Sequence, residues 1–273
     1  GASPSQNASS GMNNLFYNVW GYRPVTQPGT PLSTLLNNGV DDMVNTTNDY
    51  RFNPYMDLQN AYNHTLNTYV QFNGFLEYDI MKGLKLKVSG GYTDTGYNND
   101  NFNNSKTRYG GPISNDKVNA RVTRSSRSTW LNENTLTYQT NIKKKHFFNT
   151  LLGFSLQNSD YDYYSYKTIN IPNENLGMSG MDQGTPTGAS SLKSSWSMMS
   201  YFGRFNYNYK SCYYATFTMR ADGSSKFSKG NRFGYFPSGS LAWNVAEEGF
   251  MKPYNKYVNN AKIRLSWGLT GNN

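Results

Sequence analysis

Between residues 68 and 80 the side chains take turns. Val70, Phe72, Leu76, Tyr78 and Ile80 hold even positions, while Gln71, Asn73, Glu77 and Asp79 hold odd ones, with Phe75 as the exception. A repeat of two is the mark of a strand whose faces meet different surroundings. After Met81-Lys82-Gly83 the alternation resumes. Leu84, Leu86, Val88 and Tyr92 now oppose Lys85, Lys87, Ser89 and Thr93. Two such runs joined by three residues predict an antiparallel hairpin.

The same arrangement recurs three more times. Strands are expected at about 128–142, 147–159, 195–209, 213–222, 234–246 and 261–270, eight in all with the first pair. The last four show the contrast most sharply. Met199, Tyr201, Phe205 and Tyr207 alternate with Ser200, Arg204, Asn206 and Asn208; Ala215, Phe217 and Met219 alternate with Thr216, Thr218 and Arg220. Leu241, Trp243 and Val245 face away from Ser240 and Asn244, and Ile263, Leu265, Trp267 and Leu269 from Lys262, Arg264, Ser266 and Thr270. Connections alternate too. Those at 81–83, 143–146 and 210–212 are short. Those at 96–127 and 160–194 are long, and 223–233 and 247–260 are intermediate, the last with room for one helical turn.

Short turns at one rim and long loops at the other characterise a transmembrane β-barrel. Ten to fifteen residues at about 3.3 Å each reach about 33–50 Å, enough to cross the apolar band at a tilt. Tyrosines and tryptophans near strand ends suit interfacial belts. The expected class is therefore all-β, an antiparallel transmembrane β-barrel segment of about eight strands with long extracellular loops. Two alternatives stay open: a soluble carbohydrate-binding β-sandwich, and a small stand-alone eight-stranded barrel. Residues 1–66 read as a loop-rich extracellular segment, with a short helix at 9–20 and then prolines at 24, 28, 31 and 54 that break regular structure. Residues 67–273 hold the barrel strands and loops.

Composition narrows the picture. Among 273 residues, 26 Lys+Arg face 17 Asp+Glu, a formal charge of +9, yet charged residues total only 16%. Aromatics reach 16%, which argues against charge-driven disorder. The basic residues are scattered over turns and both rims without a nucleic-acid-binding motif, so no nucleic-acid partner is expected. One cysteine, Cys212, excludes an internal disulfide framework. The opening Gly1-Ala2-Ser3-Pro4 has neither an initiator Met nor a signal-type apolar region, and is expected to belong to a processed chain or a piece of a longer one.

Candidate chemistry is sparse. Glu247 and Glu248 are adjacent and do not converge as an acid–base pair. No Gly-x-Ser-x-Gly elbow accompanies the serines, so no catalytic residue is assigned and no enzyme is expected. Glu133 is the carboxylate that a glycosidase reading would use. His64 and His146 read as solvated loop or turn residues, Cys212 as a turn thiol, and Lys143-Lys144-Lys145 as a basic turn at the membrane boundary. No cofactor is expected. The oxygen-rich run Asp94, Thr95, Gly96, Asn98, Asn99 and Asp100 is a candidate calcium site, but lacks the EF-hand spacing.

From residue 219 the sequence reads MRADGSSKFSKGNRFGYFPSGSLAWNVAEEGFM and later AKIRLSWGLTGNN. This resembles SusC/RagA-type TonB-linked outer-membrane proteins (TonB-dependent receptors). The residues that carry the likeness are Arg220, Asp222, Gly223, Ser224, Ser225, Phe227, Phe236, Pro237, Ser238, Trp243, Glu247, Glu248, Phe250, Lys262, Arg264, Gly268, Thr270, Gly271 and Asn272. Their expected role is structural. The resemblance implies a fragment of a 22-stranded plugged barrel. It also implies the bacterial outer membrane, import of glycans or peptides, a SusD-like surface lipoprotein as lid, and coupling to the TonB complex through an N-terminal part outside this chain. It places the 220–232 loop outside the cell and 247–260 in the periplasm, so that 81–83, 143–146 and 210–212 face the periplasm. Tyr97, Phe102, Tyr109, Tyr161, Tyr163, Tyr164 and Tyr166 then become candidates to touch substrate or lid. Their rings either stack on sugars or pack on one another.

Overall fold

The computed structural model describes residues 19–21, 29, 31, 33–34, 52–112, 114–254 and 256–271. Of the helix expected at 9–20, residues 9–18 lie outside the described residues; 19–21 are helical. Helix α1 (Pro54–Asn60) comes next, and eight strands form one sheet in sequence order: β1 (Ala61–Met81), β2 (Leu84–Asn103), β3 (Asn119–Ile142), β4 (His146–Ile169), β5 (Thr185–Tyr209), β6 (Tyr213–Ser224), β7 (Phe233–Asn244) and β8 (Lys262–Gly268). The expected all-β antiparallel wall is what the chain forms.

Register confirms the faces. Across β5 to β8, Phe205 pairs with Phe217, Phe217 with Gly239, and Gly239 with Trp267. The next row on that face runs Tyr207, Ala215, Leu241, Leu265. One residue away, on the other face, run Asn206, Thr216, Ser240 and Ser266, then Arg204, Thr218, Ser238 and Gly268. Each of these four rows is therefore of one polarity, as period-two strands in correct register require.

In a sandwich the apolar rows would be the buried inner face. Here Leu76 is 79% exposed, Leu265 74% and Trp267 64%. Burial of one such side chain is worth about 1.5–3 kcal/mol, so a surface lined with them belongs against lipid, not water. No described helix is long and apolar enough to cross a membrane, which leaves open a crossing by strands.

Two of the short turns share a device. Lys143 and Lys144 have φ of 54° and 56°, and Lys210 and Ser211 have 51° and 58°. Two successive left-handed residues give the type I′ geometry whose twist suits a hairpin. Gly83 has φ 84°, and a Cβ there would meet the carbonyl oxygen of Gln139 at 2.2 Å.

Two expectations need correction. Pro54 starts a helix rather than breaking the chain. It stands at the first helical turn, where no N–H is missed, and the Asn53 side chain accepts from the N–H groups of Tyr55 and Met56. Strand β1 accordingly begins before residue 67. The long connections are also much shorter than 96–127 and 160–194, because β2, β3, β4 and β5 continue through most of those residues. A 3-10 segment, Glu174–Gln183, occupies the second connection, and two more, Val245–Glu247 and Gly249–Tyr254, supply the helical turn expected after β7.

The described structure gathers into two compact units. One comprises Gly1–Thr68, Gly96–Ser126 and Asp162–Lys193; the other comprises Tyr69–Thr95, Arg127–Tyr161 and Ser194–Asn273. Strands β1 to β5 contribute residues to both.

Candidate functional site

The first unit is a platform of strand ends and loops with its own small core. Phe102 from β2, Ala120 from β3 and Ile171 are buried together, with Val118, Met178 and Met181 packed against them. Polar clasps surround this core. The Glu174 carboxylate accepts from the Ser105 N–H at 2.7 Å and the Ser105 hydroxyl at 3.0 Å, which joins the two loops. Asn60 of α1 accepts from the Asn104 amide at 3.2 Å, and Asp57 accepts from the Arg108 N–H at 2.9 Å. Burial pushes the Asp57 carboxyl above its ordinary value; the Arg108 N–H bond and the guanidinium charge pull the other way. Lys167 and Asp116 form an ion pair at 2.5 Å. The loops are thus preorganised, which lowers the ordering cost of meeting a partner. Sequence reasoning missed Ser105, Glu174 and Asp57; the one legible signal was Asn53-Pro54, a helix-start pair.

The candidate aromatic residues separate. Tyr109 is exposed on its loop and Tyr97 on β2. Phe102 is only 6% exposed. Its ring holds the platform together and offers no face to a sugar, which corrects its place among the contact candidates. On β4, period two puts Tyr164 and Tyr166 on one face and Tyr161 and Tyr163 on the other, so the four do not make one patch. Tyr164 and Tyr166 line a groove of about 370 Å³ with Val122, Arg124, Ala189 and Ser191. In the second unit the Arg127 guanidinium lies 4.9 Å from the Tyr161 ring centroid.

The run 94–100 is extended β2, which strings its oxygens along a strand rather than around one ion. Asp100 pairs with Arg124 at 2.6 Å, and the Asn99 amide donates to Asn63 and Thr65. No group of three or more His, Cys, Asp or Glu gathers among the described residues. His64 lies exposed in β1 rather than in a loop. His146 opens β4 with a ring nitrogen 2.8 Å from the Tyr207 hydroxyl. Glu133 lies half-buried in β3, and its backbone carbonyl accepts from the Ser89 hydroxyl.

The second unit shows what the 219–271 residues do. The Arg220 Nε donates to both Asp222 oxygens at 2.7 Å, and Nη2 donates to the buried Ser200 hydroxyl at 3.0 Å. Arg220 pairs in register with Phe202 on one side and Phe236 on the other, with its guanidinium 5.4 Å from the Phe202 ring centroid. Phe236 fits because Gly271 has no side chain; a Cβ there would stand 2.2 Å from the ring. Ser224 and Ser225 close the strand end, the Ser225 hydroxyl accepting from the Ser197 N–H at 2.8 Å. Phe227 stays exposed, as does Phe250. Pro237 lies opposite Met219, and Arg264 opposite Ala242. At the other end Glu248 accepts from the Tyr213 hydroxyl at 2.5 Å and the Trp243 indole at 3.1 Å. Those two bonds, the tyrosine's first, hold the Glu248 carboxyl below the ordinary glutamate range. Glu247 is exposed, and Asn272 lies outside the described residues.

No family model matches the chain. Curated relatives do. TonB-dependent receptor P3 of Formosa agariphila is 32% identical over 233 residues, covering 84% of this chain and 22% of that protein. TonB-dependent receptor SusC of Bacteroides thetaiotaomicron is 54% identical over 74 residues, covering 27% of this chain and 7% of that protein. Among solved structures, the RagAB peptide importer in its closed-closed state matches with a TM-score of 0.69 at 22% identity, over 82% of this chain and 24% of that one. The chain belongs to the SusC/RagA-type TonB-dependent receptors. It spans 22% or less of the length of these two curated relatives. That membership places the chain in the bacterial outer membrane.

Proposed function

We propose that this chain forms part of the wall and outer loops of a SusC/RagA-type importer for large polar nutrients, glycans or peptides, coupled to TonB by parts outside it. The observation that carries the reading is the register across β5 to β8. It gathers Asn206, Thr216, Ser240 and Ser266 into continuous polar rows behind a fully apolar outer face. A wet inner wall is what passage of a polar polymer needs. The preorganised loops at 104–118 and 170–184 supply the surface for capture and for a SusD-like lipoprotein lid. The wall carries no catalysis of its own. Asp222, Glu174 and Glu248 are each engaged by a named structural partner, which leaves none of the three as half of a cleft pair.

The test is growth of a strain carrying the whole receptor with residues 172–182 replaced by a short Gly-Ser bridge. Uptake of one polymer class, supplied as sole nutrient, should fall while the receptor remains heat-modifiable in the outer membrane. Unchanged uptake of every glycan and peptide mixture in both this strain and a gene deletion would overturn the import reading. Release of mono- or oligosaccharides by purified receptor would overturn the non-enzymatic one.

A further inference from the structure

The three short turns all carry lysine, and two of them touch. Lys210 N–H donates to the Lys145 carbonyl at 2.8 Å, so the turn after β3 and the turn after β5 form one basic ledge holding Lys143, Lys144, Lys145 and Lys210. All four are exposed, and none makes an ion pair among the described residues. Three of them adopt positive φ, a conformation that favours Asn or Gly in such turns.

Beside the ledge runs an aromatic shelf on the apolar face. The His146 and Tyr209 rings are 4.8 Å apart, and Tyr209 and Tyr213 are 6.4 Å apart. Trp243 pairs with Tyr213 in register. The Lys210 ammonium lies 5.2 Å from the Tyr209 centroid, so its charge is directed over this shelf. Immediately along the strands the surface dips. Ala215 stands between Tyr207 and Leu241, and this small residue opens a groove of about 370 Å³ bounded by Trp243, Ile263 and Leu265. Glu247 and Glu248 are the carboxylates at this rim. Glu248 is occupied by Tyr213 and Trp243, and among the described residues it forms an ion pair with none of the four ledge lysines.

We propose that this corner binds an anionic phospholipid of the periplasmic leaflet, with its phosphate on the lysine ledge and one acyl chain in the groove over Ala215. Charge selects the lipid, because a zwitterionic headgroup brings its own cation to a ledge already rich in them. The aromatic shelf sits at the depth where half-polar rings are favoured. The inference rests on the apolar face of the wall meeting lipid.

The whole receptor, purified from outer membranes, is reconstituted with phosphatidylglycerol or phosphatidylethanolamine carrying brominated acyl chains. The Trp243 signal is taken as the difference between wild type and Trp243→Phe. Brominated phosphatidylglycerol at low mole fraction should quench that signal several-fold more strongly than brominated phosphatidylethanolamine. Equal quenching overturns the site while keeping the wall in lipid; no quenching by either removes the membrane reading as well. In native mass spectrometry, Lys143→Gln/Lys144→Gln/Lys145→Gln/Lys210→Gln and, separately, Ala215→Trp should each reduce retained phosphatidylglycerol about tenfold. Retention unchanged in a folded variant overturns the assignment, as does preferential retention of lipid A. If a variant fails to fold, the wild-type lipid comparison decides alone.

Discussion

Phe102→Ala separates a scaffold residue from a contact residue. The ring is 6% exposed, packed with Ala120 at 0% and Ile171 at 3%. A buried Phe→Ala change costs about 3–5 kcal/mol from lost transfer energy plus the cavity left behind. Met178 and Met181 flank the site and adapt easily, so partial collapse favours the low end, about 3 kcal/mol. At about 1.4 kcal/mol per factor of ten, the local opening equilibrium rises roughly 100-fold. Hydrogen exchange of the whole receptor in detergent reads this directly, since protected amides report local opening. Amides near 104–111 and 170–184 should exchange about 100 times faster, while those of β6 to β8 keep their wild-type rates. Tyr109→Ala, which removes an exposed ring, should leave both groups within about a factor of three, as surface changes usually do. Equal acceleration in β6 to β8 would mean that Phe102 supports the whole sheet. No acceleration anywhere would mean that the core contributes nothing, and the claim of preorganised loops would fall.

Single contacts set three further outcomes. Gly83→Ala combines a left-handed residue, costing about 1–2 kcal/mol, with a Cβ 2.2 Å from the Gln139 carbonyl, so the unfolding midpoint in urea should fall clearly; an unchanged midpoint would contradict the turn geometry. Arg220→Met strands the Asp222 carboxylate and the buried Ser200 hydroxyl, and with Arg220 40% and Asp222 23% exposed the loss should be about 1–2 kcal/mol rather than the 3–5 of a fully buried pair; a double-mutant cycle with Asp222→Asn showing no coupling would refute the clasp. Glu248 has a lowered folded-state pKa, so its contribution is fully present above the ordinary glutamate value, about 4.3, and disappears as pH falls through the lower folded value. The wild-type Trp243 emission should therefore shift on acidification and that of Glu248→Gln should not; identical titrations would show that the carboxylate does not govern the indole.

The wall is legible in the sequence because lipid and water impose opposite demands on its faces. Val70 through Ile80 and Ile263 through Trp267 declare themselves by alternation alone, and for the second of them the register sorts the faces as expected. The ends of β2, β3, β4 and β5 are not legible. Across Tyr97-Asn98-Asn99-Asp100-Asn101-Phe102 and Asp162-Tyr163-Tyr164-Ser165 polar and aromatic residues occupy both parities, so no period emerges although the backbone stays in the strand. Alternation reports a difference between surroundings, not the strand itself. Helix α1 hides for a related reason: Pro54 reads as a breaker unless it is weighed with its cap, Asn53, which makes it a start. The Ser105–Glu174 clasp joins residues 69 apart in sequence, a distance over which single-sequence spacing carries no signal.

The length of the true connections decides how the rim can work. Connections of 32 and 35 residues would be mobile lassos able to close over cargo, since each long loop carries a large ordering cost. Most of those residues are instead strand, and the remaining loops are tied by Glu174, Asp57 and a shared core. Tyr97, Tyr164 and Tyr166 therefore ride on hydrogen-bonded backbone. Rings fixed in this way lose little further entropy on contact, but they cannot follow cargo of arbitrary shape. On the import function proposed above, closure over a large polymer would fall to a separate moving part. That division, a stiff receptor rim and a mobile cover, is the arrangement that a lipoprotein lid would complete.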